Sequence, residues 1–483
     1  MWPSLVRNIL LPAHEALLRR PTISIVRQLA EDAVVGQDYV DLHRAQELTK
    51  LIRHARAASP YWREAIRGGS SITTADAPKS QRSSETSAEW HSLPILTRAE
   101  IRRHREAMCC HTIPGRLIHH SSSGTTDDNL TFYLDRQRQA WDRALRINAL
   151  ARLGIDVGEK QLHFFPQFAA GGSTGLLKDA ARVVRDRLTN DPAFDLRPMN
   201  RERMAQALAF MDRYRPVVVI GYPSWLFALA QHRLQSQRRR ADPMPRYVVS
   251  TGELLYDFQR SAIESAFGAP VVEEYGSQEV GLIASEDAAG NWIINWQHVV
   301  IEILRSGRLA RPGEMGEIVI TSLHSQAMPF IRYATGDVTT VPSSELAADS
   351  GARTLDRIEG RASDILVTTE GGLQSNRHVV DLLVHETGVT EFSLHQTAPE
   401  RILCMTIRDG GWVGQEARVA ELLRALLGRS LQVDWKIGDA FRPLKSGKRR
   451  YICSSVAQSL LAHDRESGMF LSRAWPQRVL DAA

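Results

Sequence analysis

From residue 116 onward the apolar residues fall into short runs separated by longer amphipathic stretches. Leu162–Phe165, Val217–Ile220, Tyr247–Ser250 and Val271–Tyr275 are short β-like runs. Between them, 201–214, 224–238 and 256–267 repeat their apolar positions at helical spacing. Buried strands alternating with helices predict an α/β fold around a largely parallel sheet. Residues 291–340 change character. Asn291–Trp296, Val299–Leu304 and Gly316–Thr321 predict strands joined by turns, hence an antiparallel sheet or barrel after the α/β part. Beyond Arg361 mixed strand and helix patterning resumes to about 455, and a domain boundary is expected at 361–364.

Upstream, residues 1–110 read as mostly helical. The helical spacing over 38–67 ends in a Ser59–Pro60 turn and a second helix. Residues 70–92 are rich in Ser, Thr, Ala and Pro and predict an exposed loop. Leu93–Thr97 then leads into a helix capped by Thr97, with Glu100 three residues later completing a capping box. Ile9–Leu18 could form an amphipathic surface helix, and the tail 455–483 is expected to be helical. There is no internal repeat.

Composition narrows the function classes. A chain of 483 residues suggests two or three structural units. The four cysteines, Cys109, Cys110, Cys404 and Cys453, form no C-x-x-C pair, which excludes a disulfide scaffold and argues against structural zinc. A net charge of +5 does not indicate a nucleic-acid binder. No run approaches the roughly 18 apolar residues of a membrane span. The N-terminal apolar stretch is short and broken by Pro12, so a signal peptide is not expected and a cytoplasmic location is. Of the 60 basic residues only seven are Lys, which draws attention to Lys436, Lys445 and Lys448 close together near the C-terminus.

Five segments carry candidate chemistry. His120–Thr126 offers hydroxyls and backbone N–H groups that can wrap a polyphosphate, or is a plain polar turn. Glu274–Glu279 places an aromatic beside a Gly turn, suited to a flat ring, with a carboxylate following that can hold Mg²⁺. Alone it also reads as a strand ending in a turn. Ile331–Asp337 sets an Asp in a tight Gly turn, where it can accept ribose hydroxyls or stabilise the turn itself. Arg357–Asp364 is followed by Gly371–Gly372, and Pro443–Lys448 puts a Lys behind a Ser-Gly turn, a mobile charge for phosphate or carboxylate oxygens.

In order and spacing these segments resemble the acyl-adenylate-forming enzymes (acyl-CoA synthetases, adenylation domains and luciferase). Within that superfamily the chain is most similar to the phenylacetate–CoA ligase branch. The matching stretches are LPILT at 93–97, SSSGTT at 121–126, GYPS at 221–224, STGE at 250–253, YGSQE at 275–279, YATGD at 333–337, RIEGR at 357–361 and SGK at 446–448. The resemblance covers about 60–455. It implies a large N-terminal domain, 1–360, of two α/β sheets plus a small β-barrel, preceded by a helical lead-in over 1–60. A small α+β C-terminal domain, 361–483, would rotate between two catalytic poses, with an extension from about 455.

The resemblance also implies an ATP- and Mg²⁺-dependent acid–thiol ligase. A small-molecule carboxylic acid would be activated as acyl-AMP and passed to a thiol, by default coenzyme A. A carrier-protein thiol or an amine would use the same first half-reaction, and a homodimer is compatible. Ser121, Ser122, Ser123, Gly124, Thr125 and Thr126 would form the phosphate loop. Glu253 and Tyr275 would lie near adenine, with Gly276 and Ser277 in the same nucleotide-binding turn. Glu279 would hold Mg²⁺, Asp337 and Arg361 would bind ribose, and Lys448 would bridge carboxylate and phosphate oxygens. The loop at 370–373 would line the thiol path. The chain departs from the family pattern at Asp127–Asp128–Asn129, which follow the phosphate loop, and at Ser363, where an acidic residue is common.

Phe164, Phe165, Phe168 and Gly171–Gly172 resemble the acyl-pocket wall of the aryl-acid branch, to which Tyr222–Trp225 could add an aromatic side. Such a wall favours a flat aryl acid, although ordinary core aromatics would look the same. Gly171–Gly175 matches the G-x-S-x-G of hydrolases, but Pro166 separates Ser173 from the preceding apolar run. A non-catalytic protein that keeps the fold is the third class. There is no G-x-x-x-x-G-K-[ST] motif, and His385–Glu386 lacks the second His of a zinc protease. His111, His119 and His120 read as solvated or packed residues, and Arg238–Arg240 as a solvated loop end.

Overall fold

The computed structural model describes residues 2–66, 90, 93–115, 117–121, 130–166, 175–236, 244–305, 307–342, 354–355, 357–438 and 450–457. Its largest sheet has seven strands, in the spatial order 354–355, 292–294, 281–286, 271–277, 247–251, 218–221, 161–164. The four strands from Gln161 to Ser277 run parallel, and the other three add antiparallel. Side chains alternate across this sheet with the period of two that a strand imposes. Val219, Val248 and Val271 join Leu162, Phe164 and the apolar stripes of helices Arg201–Tyr214, Pro223–Gln235 and Asp257–Phe267 on one face. Val218, Ile220, Val249 and Val272 meet Leu150, Leu153 and Ile155 on the other. Asn200 caps the first of those helices by accepting from the Arg203 N–H at 2.8 Å. The strand and helix rhythm expected from the sequence is therefore present, with strand ends shifted by one or two residues.

A five-stranded antiparallel sheet follows, in the order 308–309, 299–305, 315–322, 333–340, 358–361. Its order is open among the described residues, so the expected small barrel is not seen there. The N-terminal helices Gln37–Ala58 and Pro60–Ala65 cover it, burying Val40, Leu48, Leu51, Ile52, Ala55 and Trp62 in a core shared with Ile301, Ile318, Ile320 and Phe330. Trp62 anchors its indole by donating to the Pro329 carbonyl at 3.1 Å. The exposed loop expected over 70–92 needs correction at its end: Trp90 is fully buried in the same core. Its large apolar surface outweighs the polar composition of its neighbours. The other residues of that stretch lie outside the described residues. Thr97 caps helix Arg98–Met108 as expected, accepting from the Glu100 N–H at 3.2 Å.

One buried ion pair pins the Trp90–Leu96 segment to this sheet. Arg332 bonds both oxygens of Glu302 at 3.1 Å, and both side chains are only 3% exposed. The same guanidinium donates to the Leu93 carbonyl at 2.8 Å. The C-terminal part begins after the one-turn 3₁₀ segment Ala362–Asp364. It is a four-stranded sheet, in the order 432–438, 401–407, 392–398, 452–454, packed on helices Asn376–Thr387 and Glu416–Leu427. The expected helical tail lies outside the described residues from 458 on.

Replacing Arg332 by Met leaves Glu302 buried without its partner, a change that typically costs about 3–5 kcal/mol. Urea denaturation is expected to show that loss for Arg332→Met, and a much smaller one when Glu302→Leu is added.

Candidate active site

Three of the motifs sit at the C-terminal ends of adjacent parallel strands. Gly221–Ser224 follows strand Val218–Gly221, Thr251–Glu253 ends Tyr247–Thr251, and Tyr275–Ser277 closes Val271–Ser277. In open α/β sheets ligands collect outside this edge. The tips are tied together: the Ser224 backbone N–H donates to Glu253 Oε2 at 3.1 Å. At Gly276 the hairpin partner comes so close that a Cβ would lie 2.6 Å from the Gly281 carbonyl oxygen. Only glycine allows the turn that brings Tyr275 and Glu279 to one cleft.

Two cavities open along this edge and share walls at Gly252, Gly276 and Arg361. The smaller, about 160 Å³, is bounded by Glu253, Tyr275, Asp337, Ile358 and Arg361, and from the C-terminal part by Asp364, Asn376, Arg450 and Tyr451. The larger, about 630 Å³, holds Ser277 and Glu279 together with Tyr222, Thr251 and several arginines.

Asp337 links the two sheets at the smaller cavity. It accepts from the Tyr275 hydroxyl at 2.9 Å and lies 3.6 Å from Arg361 Nε. Asp337 and Arg361 are cross-strand partners, so backbone pairing sets their separation. Burial pushes the Asp337 carboxyl pKa upward, and Arg361 and the Tyr275 hydroxyl pull it back in part. Burial also raises Tyr275, which keeps its proton for that bond.

Glu279 is 2% exposed and pairs with Arg98 Nη2 at 2.8 Å. Arg98 Nε also donates to the Tyr333 hydroxyl at 3.3 Å. Burial works against the Arg98 charge, but Tyr333 and Glu279 more than offset it and the pKa is raised. The sequence reading missed Arg98, although it directly follows Thr97 of the LPILT motif. As a Mg²⁺ site this corner fits: one carboxylate suffices for an ion that takes most of its ligands from phosphates and water. Among the described residues the one group of three clustered potential ligands, Glu106, Cys109 and His111, lies at the end of helix Arg98–Met108. There burial raises the Cys109 thiol to about 11, so it stays protonated and is a poor ligand.

Ser121 ends a strand paired antiparallel with Thr131, and His120 beside it lines the larger cavity. Ser122–Thr126, with Asp127 and Asp128, lie outside the described residues, as do Lys445 and Lys448. The chain is described again at Arg450, whose Nε donates to Asp364 at 2.6 Å and whose Nη2 donates to the Ser363 carbonyl at 2.9 Å. Burial raises the Asp364 carboxyl and Arg450 opposes the shift. The sequence reading did not single out Asp364 or Arg450 as cavity residues.

The expected aromatic acyl wall is corrected. Phe164 and Trp225 are fully buried core residues on one face of the large sheet. Phe165 packs edge-on against Tyr222, with ring centroids 5.1 Å apart, and of these aromatics Tyr222 lines the larger cavity. Phe168, Gly171, Gly172 and Ser173 lie outside the described residues.

No protein-family model matches the chain. It is similar to Protein CapK of Staphylococcus aureus, 23% identical over 299 residues, covering 60% of this chain and 63% of CapK. It is also similar to the phenylacetate-coenzyme A ligase of Pseudomonas putida, 25% identical over 260 residues, covering 51% of this chain and 55% of that enzyme. The chain thus spans less than two thirds of the length of either relative. Among solved structures, 2-hydroxyisobutyryl-CoA ligase in its postadenylation state superposes with a TM-score of 0.63 at 17% identity, covering 88% of this chain and 91% of that one.

The Asp337 geometry makes a stability prediction. A carboxyl with a raised folded pKa costs stability once charged, so that cost appears as pH rises through its folded pKa. Asp337→Asn removes the titration and keeps an acceptor for Tyr275. Its melting temperature is expected to exceed that of the wild type at pH 7, with the gap shrinking as pH falls toward 4. A constant gap contradicts a buried charged Asp337. The chain thus shares its fold with 2-hydroxyisobutyryl-CoA ligase, and in sequence it is similar to phenylacetate-coenzyme A ligases over part of their length.

Proposed function

We propose that the protein is an ATP-dependent acid–thiol ligase that activates a carboxylic acid as acyl-AMP and transfers the acyl group to coenzyme A. The observation that carries this reading is the convergence of Glu253, Tyr275, Asp337, Arg361 and Glu279 along one cleft at the carboxyl edge of the sheet. The similarity to phenylacetate-coenzyme A ligases supports the choice of acceptor.

In this reading the nucleoside occupies the smaller cavity. Asp337, held by Tyr275, accepts the ribose hydroxyls, Arg361 braces the same end, and Glu253 and Tyr275 border the base. Ser121–Thr126 would wrap the phosphates, and Ser121 itself pairs with Thr131 at the end of its strand. Glu279 would hold Mg²⁺, which supplies charge neutralisation at the phosphates. Arg98 fixes the Glu279 carboxylate.

A carboxylate oxygen of the acid attacks the α-phosphorus of ATP. The bond from that phosphorus to the bridging oxygen breaks, and pyrophosphate leaves with the electron pair. Two anions must meet in this step, and Lys448 would stabilise the charge that builds between them. The coenzyme A thiol, losing its proton, then attacks the acyl carbonyl and AMP departs. Domains 1–360 and 361–483, hinged at 361–364, would exchange poses between the steps. Lys448 belongs to the segment just before Arg450, and Arg450 borders the smaller cavity beside Asp364, which supports that assignment.

The test is acid-dependent pyrophosphate release with hydroxylamine trapping of the acyl-adenylate, comparing wild type with Lys448→Ala. Losing a transition-state contact of this kind typically costs about 10²–10³-fold in rate. The variant is expected to lose adenylation to that degree and still make the thioester from preformed acyl-AMP. Normal adenylation by Lys448→Ala would remove Lys448 from the mechanism.

A further inference from the structure

The larger cavity carries more positive charge than the proposed adenylation needs. Arg20, Arg98, Arg143, Arg146 and Arg361 line it against two carboxylates, Asp142 and Glu279. Both carboxylates are already engaged, Asp142 by Arg138 and Glu279 by Arg98. Arg361 sits on Asp337. That leaves Arg20, Arg143 and Arg146, which border the larger cavity but not the smaller one.

Arg20 and Arg143 are thinly compensated, and Arg146 has one carboxylate partner. Arg143 Nε lies 3.5 Å from the buried Glu15, and Arg20 leans on that same carboxylate while its Nη2 donates to Gln139. Arg146 has Glu274 at 3.2 Å. Two guanidiniums thus share one carboxylate whose other oxygen is taken by the Thr22 hydroxyl at 2.5 Å. The Nε groups of Arg20 and Arg143 are buried without a hydrogen-bond partner. Burial lowers the Arg20 pKa, Glu15 opposes that shift, and the neighbouring Arg143 and Arg136 add to it. Arginine forks of this kind match carboxylate and phosphate oxygens.

The cluster is assembled from two places in the chain. Arg143 and Arg146 lie on helix Arg136–Arg152, which packs through Trp141, Ala144 and Leu145 onto Leu282 of the large sheet. Arg20 comes from the N-terminal lead-in, held there by Ile25 and Leu29 in that same apolar cluster.

We propose that Arg20, Arg143 and Arg146 bind a second anionic group on the acid substrate, remote from its reacting carboxylate. This rests on the ligase reading and deepens it: the preferred acids are dianionic, such as dicarboxylates, and not neutral-tailed aryl acids. In that reading the phosphate loop, Lys448 and Mg²⁺ would answer the triphosphate, and of the aromatics expected to wall a flat neutral acid Phe164 and Trp225 lie in the core.

The test uses the full chain with matched acids, adipate against hexanoate and 4-carboxyphenylacetate against phenylacetate, in the pyrophosphate assay. The wild type is expected to favour the dianionic member by about tenfold or more in kcat/KM, as for a charge-assisted hydrogen bond. Arg143→Gln is expected to erase that preference through the KM for the acid, leave the KM for ATP unchanged, and recover in part as Arg143→Lys. Equal use of both members, or preference for the monoanion, overturns the proposal. So does a raised KM for ATP with the acid preference intact, which assigns the arginines to the triphosphate. Should Arg143→Gln not fold, Arg146→Gln is read the same way. If no acid releases pyrophosphate, the ligase reading fails separately, and calorimetric titration of the wild type with adipate and hexanoate decides the anion site. Tighter adipate binding supports the site and equal binding overturns it.

Discussion

The Asp337 carboxylate is the point on which the cleft depends. Tyr275 belongs to the seven-stranded sheet, and Asp337 and Arg361 belong to the five-stranded one. A single acceptor group, taking the Tyr275 hydroxyl on one side and facing the Arg361 guanidinium on the other, sets how the two sheets meet. Burying such a charge is unfavourable unless it is paired and hydrogen-bonded. The fold meets that requirement through backbone register, since Asp337 and Arg361 are directly opposed. The same carboxylate lines the smaller cavity.

The charge pattern around that point has a consistent logic. Carboxylates on the sheet edge are mostly neutralised from elements packed against it. Glu273 takes Arg260 and Arg377, Glu274 takes Arg146, and Glu279 takes Arg98. Arg377 comes from the C-terminal helix Asn376–Thr387, so the buried Glu273 also anchors the C-terminal part to the large sheet. Tyr256 adds to that contact by donating to Asn376 at 3.0 Å. Beside these polar contacts, Tyr256, Leu254 and Phe258 pack against the apolar core of the C-terminal part.

Much of the fold was legible because its strands are buried on both faces and its helices are not. Val218–Gly221 is an unbroken apolar run, Val271–Val272 opens strand Val271–Ser277, and 201–214 shows helical spacing capped by Asn200, so element type followed from pattern alone. The cleft was partly legible for a different reason. Tyr275, Asp337 and Arg361 stand in short Gly-containing motifs whose order along the chain is distinctive, although the structure places all three in strands and not in turns. What escaped has physical causes. Arg98 looked like the first residue of a capped helix, and only tertiary packing turns it toward Glu279. Trp90 ended a polar stretch whose composition argued for solvent. Phe164 and Trp225 are aromatic and near the right motifs, but the period of two in one case and the helix face in the other send them into the core. The arginines at 20, 143 and 146 were lost among the many others, because nothing local distinguishes a cation that faces a cavity from one that faces water.

Isotope exchange tests the central claim most directly, because it reads reversible formation of acyl-AMP without needing the acceptor. Labelled pyrophosphate is incubated with the protein, ATP, Mg²⁺ and a panel of mono- and dianionic carboxylic acids. The account predicts that label enters ATP only when an acid of the panel is present. Exchange that is absent with every acid, or that proceeds equally without one, would contradict it.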